Sequence, residues 1–338
     1  DSLQEWSEYC ETIYQGEPLY LFDHVVDYNT TIYQLLNSIA SAGRATLSWR
    51  DGKIGVIIDR NQTVPAQMFT PRNSWNMSSQ RMYLETPHAL RIAFVDPAIG
   101  YGESQRMVYA DGYDENTATV FEDLKLFGVT RATQAWRDGR YMLAQGLLRR
   151  EEFTIEVDIE NLACIRGDLV WVQHDVLRVG GDSSRITDVI SDTEFYQYDP
   201  LPNLAADEYG VRIRRSSDGS LVGPIKATAS PPYGWVLDEP VERMQPDDLI
   251  VWGTLTKETG EYLVKNIQPG KDFTASMTMV EIARAIYSAD TGPIPPYFPP
   301  QNGRPDGVLA QPPTNVRVVQ NNKTIARRPA ADIVLLWD

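Results

Sequence analysis

Residues 151–172 read Glu151-Glu152-Phe153-Thr154-Ile155-Glu156-Val157-Asp158-Ile159-Glu160-Asn161-Leu162-Ala163-Cys164-Ile165-Arg166-Gly167-Asp168-Leu169-Val170-Trp171-Val172. Phe153, Ile155, Val157 and Ile159 alternate with acids and Thr154, the period of a strand with one buried face. Arg166-Gly167-Asp168 then turns the chain into an apolar run. The stretch therefore predicts one strand pair of a barrel or sandwich. The downstream half of the chain falls in the same class, because strand-like runs recur at 184–190, 211–215, 220–228, 249–256, 261–268 and 273–282. Between 191 and 210 a Tyr-, Asp- and Pro-rich run has no clear period and reads as an irregular excursion from the barrel.

Upstream the period changes. Leu3, Trp6, Tyr9, Cys10 and Ile13 recur at steps of three and four, which predicts a helix over 2–14. Ile32, Leu35, Leu36 and Ile39 predict a second over 30–43, opened by Asn29-Thr30-Thr31 and ended by Gly43. Ala45, Leu47 and Trp49, the turn Asp51-Gly52 and the β-branched run at 54–58 predict a hairpin. Strands are expected at 65–70, 75–84 and 89–95, and two more at 105–110 and 118–123 joined by an acidic turn at 111–115. A long helix is expected over 130–150. Its stripe of Ala132, Ala135, Gly139, Leu143 and Leu147 begins with small side chains, suited to close approach by another backbone.

Downstream, residues 291–313 hold eight of the 22 prolines, so this stretch is expected to be a semi-rigid extended linker. Strands at 314–319 and 333–338 come after it. Two strands cannot bury a core, and the chain opens without an initiator Met or a secretion signal, so a longer polypeptide is expected around it.

With 46 acidic and 31 basic side chains, the net charge of −15 argues against a surface wrapped on nucleic acid, which needs clustered Lys and Arg. Residues 1–43 carry seven acids and no base, either a solvated acidic face or an electrostatic docking surface. The length allows about two or three domains and a sizeable core. No apolar run approaches the roughly 20 residues of a membrane span. Cys10 and Cys164 form neither a disulfide framework nor a zinc set, which fits a reducing site of synthesis.

No residue set nominates chemistry. His24, His88 and His174 each stand alone and read as structural or surface histidines. Gly181-Asp182-Ser183 has the order of a serine-protease nucleophile loop, but Ser184-Arg185 comes next and no histidine element supplies a base. Residues 111–116 offer oxygens to calcium at a spacing unlike an EF-hand loop, and read as an acidic hairpin tip. Arg166-Gly167-Asp168 reads as a turn before a strand, not an adhesion motif. Phosphate-cradling glycine loops are absent. No catalytic, cofactor-binding or metal-ligating residue is assigned.

Trp49, Trp136, Trp171, Trp235 and Trp252 fall on apolar faces and are expected in cores. Trp75 lies in the polar stretch Thr70-Pro71-Arg72-Asn73-Ser74-Trp75-Asn76. Exposed Trp beside Arg is the composition of an interface centre, so Arg72, Asn73 and Trp75 are the candidate assembly residues, against the alternative of a locally buried Trp.

The order of segments carries a resemblance. Residues 43–53 (Gly-Arg-Ala-Thr-Leu-Ser-Trp-Arg-Asp-Gly-Lys), Ile57-Ile58-Asp59-Arg60 and Met68-Phe69-Thr70-Pro71-Arg72-Asn73-Ser74 resemble the central region of siphophage tail tip attachment proteins, the lambda host-specificity protein J family. Phe127-Gly128-Val129-Thr130 to Gln134-Ala135-Trp136-Arg137 is similar to that family's helix leading into the barrel, and 165–172 to its Gly-Asp-strand element. Leu3 to Cys10 is similar to its short helix ending in Tyr-Cys. The succession covers about 1–290. Pro312-Pro313-Thr314-Asn315-Val316-Arg317-Val318 and Leu335-Leu336-Trp337-Asp338 resemble the first two strands of a fibronectin type III domain.

The resemblance implies an α+β, baseplate-hub-like fold: an α+β hub domain with its connecting helix over 1–150, a small antiparallel β-barrel over 151–290, the linker, and the start of a fibronectin type III-like sandwich over 314–338. It implies a homotrimer at the virion tail tip, assembled in the host cytoplasm beside distal tail, ring and tape measure proteins. DNA would pass only in transit, a host receptor would be met through other parts of a longer chain, and no catalysis or cofactor is implied. The hub of a gene transfer agent or contractile tail stays open within virions, and a secreted carbohydrate-active enzyme or adhesin fragment outside them.

Overall fold

A computed structural model describes residues 2–50, 52–82, 85–174, 181–202, 204, 208–255, 258–299, 317–325 and 328–336. It is a mixed α and β structure with three α-helices among those residues, α1 (Ser2–Glu11), α2 (Ile32–Ala42) and α3 (Ala132–Leu148). All three lie where the apolar spacing put them. α2 starts at a reciprocal cap, in which the Gln34 N–H donates to Thr31 Oγ1 at 3.2 Å and the Thr31 N–H to Gln34 Oε1 at 3.4 Å. It stops at Gly43, whose N–H donates to Ala40 O at 3.0 Å.

The hairpin Ala45–Arg50 with Lys53–Ile58 comes next, paired from Ala45↔Ile58 to Arg50↔Lys53. Ala40, Ala45, Val56 and Ile58 bury a small core beneath it with Trp6 and Tyr9. Trp49 departs from its expected place in a core and is 66% exposed. It sits next to the hairpin turn, beyond the reach of that core.

A three-stranded sheet is built after the hairpin. Its middle strand Ala89–Asp96 pairs antiparallel with Gly102–Tyr109 and parallel with Phe121–Lys125. The two outer strands are joined through the acidic turn at 111–115, as expected, but they are not neighbours, so that connection carries the chain across the sheet. α3 packs on the sheet through Ala135 and Gly139. A Cβ on Gly139 would overlap Ile92 Cδ1 and Val108 Cγ2, which is the close approach the small-residue stripe foretold. Leu147, the last member of the stripe, is exposed.

The remaining strands form two β units. A six-stranded sheet has the order Gln67–Phe69, Leu169–Val172, Gly260–Pro269, Ala275–Glu281, Glu151–Val157, Ser74–Arg81. Its two edge strands are consecutive in the chain and joined through residues 70–73, so the sheet curls toward closure. Strand pairing thus crosses residue 150, where the sequence suggested a division. Glu151–Val157 and Leu169–Val172 share this sheet but are not partners: the first pairs with Ala275–Glu281 and Ser74–Arg81, the second with Gly260–Pro269 and, in parallel, Gln67–Phe69. The turn between them is too long to be a hairpin loop, since a 3-10 helix, Ile159–Ala163, intervenes.

Between Leu169–Val172 and Gly260–Pro269 the chain builds a closed six-stranded barrel, in the order Asp182–Ser191, Glu194–Gln197, Gly234–Leu237, Leu221–Ser230, Tyr209–Arg214, Leu249–Thr254. The barrel is smaller than the 151–290 expected. Glu194–Gln197 is one of its strands, inside the stretch read as irregular; four residues are too few to show a period. Phe195, Val211, Ile213, Trp235 and Ile250 fill the interior. The Trp235 Nε1–H, fully buried, donates to Gln197 Oε1 at 2.9 Å. Trp136, Trp171 and Trp252 are buried as expected.

Residues 291–299 of the expected linker lie along the α+β unit. Arg106 Nη2 donates to Pro295 O at 2.6 Å, and the Tyr297 hydroxyl donates to Asp96 Oδ2 at 2.9 Å. Residues 300–313 and the Pro312–Val316 part of the fibronectin-like motif lie outside the described residues, as do Trp337 and Asp338. Arg317–Ile325 and Arg328–Leu336 pair directly as one long hairpin, from Arg317↔Leu336 to Ile325↔Arg328. They begin closer together than the separate strands expected at 314–319 and 333–338.

Candidate assembly interface

Arg72 and Asn73 lie in the turn that joins the two edge strands of the six-stranded sheet. Asn73 closes it: Oδ1 accepts the Thr70 N–H at 2.7 Å, and Nδ2 donates to Met68 O at 3.0 Å and to Glu160 Oε2 at 2.6 Å. Glu160 in turn meets Arg214 of the barrel, with Nη1 2.7 Å from Oε1. Arg72 Nε donates to Ser183 O at 2.8 Å, and its Nη2 pairs with Asp199. Both side chains therefore tie the sheet to its inserted barrel. Beneath them Met68, Trp171, Leu249 and Val251 make an apolar seam, and the Arg212 guanidinium lies 3.9 Å from the Trp171 ring centroid.

Trp75 differs. It is 40% exposed, and its Nε1–H donates to Glu156 Oε2 at 2.7 Å, which fixes the ring on the outer face of the sheet. The same sheet end, where Val157 pairs with both Ser74 and Ala275, also presents Ile159, Leu162 and Phe273 to solvent. The Asn161 Nδ2 donor to Phe273 O, at 2.7 Å, holds the 3-10 helix against the 271–274 turn. In that turn Asp272 and Phe273 both have positive φ, 54° and 64°. Two such residues make the tight hairpin geometry that usually takes Asn-Gly, and a Phe there costs about 1–2 kcal/mol. Phe273 is nonetheless 71% exposed. Strain that places a large apolar ring in water is a feature of contact sites.

The sequence did not foretell a buried ionic network that locks α3 in place. Arg44 Nη2 donates to Asp290 Oδ2 at 2.8 Å, its Nε lies 3.5 Å from Asp138 Oδ1, and its guanidinium lies 4.0 Å from the Tyr141 ring centroid. Arg137 Nη1 donates to Leu19 O at 2.9 Å, and the Gln134 amide spans Leu21 and Ala42. Burial pushes the Asp138 carboxyl up to about 6, against the pull of Arg44 and Arg137. Asp59 goes the other way. Burial alone would raise it, but hydrogen bonds from Arg149, Tyr141 and Tyr287 hold it below the usual carboxylate range. Arg44, Asp59 and Arg137 all stand in the segments quoted for the family resemblance, so that signal marked architecture and not an exposed surface.

Among the described residues no group of three or more His, Cys, Asp and Glu is placed to hold a metal.

Residues 31–189 match a family described as "Putative phage tail protein". The Tip attachment protein J of Escherichia phage SECphi27 is 24% identical over 364 aligned positions, covering 100% of this chain and 29% of the relative, so the chain spans less than a third of that protein's length. Solved structures share less. A tail protein from Neisseria meningitidis MC58 has 10% identity, a TM-score of 0.39, and coverage of 82% of this chain and 62% of its own. A chain of a native gene transfer agent virion has 13% identity, a TM-score of 0.38, and coverage of 75% and 39%. The resemblance to tail tip attachment proteins read from the sequence is borne out, at low identity.

Proposed function

We propose that this chain, a phage tail protein, forms the hub portion of a tail tip, joining the tail tube to the receptor-binding apparatus. The observation that carries the reading is the match along the whole chain to a tip attachment protein. In this reading three copies assemble around the tail axis, against distal tail, ring and tape measure proteins. The host receptor is met through segments beyond this chain, and DNA only passes through. A ring protein must offer several surfaces to unlike neighbours, and the strained, exposed end of the sheet around Trp75 and Phe273 supplies one. The excess of acids suits a conduit, because a negative lumen repels passing phosphate. Outward-facing acids in a trimer would remove that last element.

The test is to locate the chain in intact particles with a bound antibody fragment under cryo-electron microscopy. Density at the tail end, in three-fold register, is expected. Label on the capsid or along the tube would sink the proposal. Glycan release from host envelope, lost on Asp or Glu substitution, would favour an enzyme instead.

A further inference from the structure

The loop before α2 is a knob that the described residues of its own chain leave uncovered. Phe22, His24, Tyr28 and Phe127 pack their rings together, with His24 and Phe127 centroids 4.2 Å apart. Phe22 lies directly over Gly128, where φ is 72° and any Cβ would collide with the ring. The Asp23 N–H donates to Gly128 O at 2.8 Å and the Thr130 hydroxyl to Asp23 Oδ2 at 2.6 Å. The loop is thus held in shape, yet Val25 is 81% and Ile32 78% exposed, with Tyr28 and Tyr33 also in solvent. Asp27 sits among them without an ion-pair partner among the described residues. Because the knob is already ordered, docking it costs little conformational entropy.

A cleft of about 490 Å³ opens between the first hairpin, the C-terminal half of α3 and the six-stranded sheet. Ile57, Met82, Leu263 and Val280 give it apolar walls. Its charges are uneven. Arg44 pairs with Asp138 and Asp290 behind the wall, Asp59 offsets Arg149 and Glu152 offsets Lys265, but Arg166 is exposed on the rim with no ion-pair partner among the described residues. On a chain of net charge −15, this is a cleft with apolar walls and, among the charged residues lining it, one cation left without an ion-pair partner.

Knob and cleft lie at opposite ends of the same helix. The knob is anchored at Gly128 and Thr130, just before α3, while Gln145, Gly146 and Arg149 at the other end line the cleft. The 17 residues of α3 separate them by about 25 Å, so one chain cannot satisfy its own cleft. We infer that the knob of one copy seats in the cleft of the next, Val25 and Ile32 against the apolar walls and Asp27 toward Arg166. Such a contact is head-to-tail and closes into a ring when the rotation per copy permits. The inference rests on the hub reading only for the number of copies in that ring.

The experiment pairs V25C with M82C in one chain and oxidises assembled tails, and separately the purified full chain at high concentration. A disulfide-linked ladder ending at three copies is expected from the double variant, with no ladder from either single variant. D27R and R166D should each lower the cross-link yield about fivefold, and the two together should restore it. No ladder in tails that carry the chain at their tip, or a cross-link from V25C to a different protein, overturns the inference while leaving the hub reading intact. Tails without the chain overturn the hub reading, and the purified chain then decides the contact by the same ladder.

Discussion

Asp59 and Arg149 face each other in a bidentate pair, Nη1 2.6 Å from Oδ2 and Nη2 3.2 Å from Oδ1, across 90 residues of sequence. Tyr287 adds its hydroxyl to Asp59 Oδ1 at 2.5 Å. One carboxylate so joins the first hairpin, the end of α3 and the 3-10 helix Arg284–Ser288. D59N should cost about 3 kcal/mol at neutral pH, because it leaves a buried guanidinium without its anion. The folded carboxyl titrates below the ordinary 3.8, so its stabilisation is present above that value and lost as pH falls through the folded value. The deficit of D59N, measured by urea unfolding, should accordingly shrink on acidification; a deficit constant with pH would contradict this.

Asp138 has the opposite sign. Its carboxyl is pushed up from 3.8 to about 6 in the folded chain, so the proton it holds stabilises the fold at low pH and that contribution disappears as pH rises through 6. The melting temperature of D138N relative to the natural chain should climb between pH 4 and 6 and then level off. A flat difference across that window would show that the carboxyl titrates normally.

Gly139 leaves no room for a side chain between α3 and the sheet. G139V should lose about 1–3 kcal/mol through overpacking against Ile92 and Val108, even though valine lacks the backbone freedom that glycine gives up on folding. Thermal unfolding measures it, and an unchanged midpoint would mean that the helix can shift outward.

At the 271–274 turn, F273G should raise stability by about 1 kcal/mol by relieving a positive φ, while weakening incorporation into tails. W75A should leave stability within about 1 kcal/mol and weaken incorporation as well. Denaturation midpoints together with the yield of tail-bound chain separate the two effects. If F273G assembled as well as the natural chain, the sheet end would not be a contact.

Burial raises the Cys10 thiol to about 11 and the Cys164 thiol to about 12. Both should resist iodoacetamide at pH 7.5 in the folded chain and react promptly in urea, because the thiolate is the reactive form. Rapid labelling of the native chain, read by mass spectrometry, would refute this.

The helices, the first hairpin and most long strands were legible because each repeats its burial pattern over enough residues to show a period. Glu194–Gln197 and Gly234–Leu237 are four residues each, too short for that, and the barrel's closure was hidden with them. Partners in the sheet were misjudged for another reason. Leu169–Val172 finds its neighbour only after the barrel intervenes, and spacing along the chain says nothing about such distant pairing. At the candidate interface, Arg beside Trp did mark a structured turn, but Arg72 and Asn73 serve contacts within the chain. Phe273 escaped notice because an Asp-Phe pair carries none of the glycine that normally announces its turn.

The barrel enters and leaves through strands already bound to each other, from Leu169↔Leu263 to Val172↔Gly260. To the sheet, everything between those strands is equivalent to the loop of a hairpin. The sheet's register is set by those pairs, so a barrel exchanged or enlarged between the same two points has to keep only its contacts with Arg72 and Glu160 and the apolar seam at Met68 and Trp171.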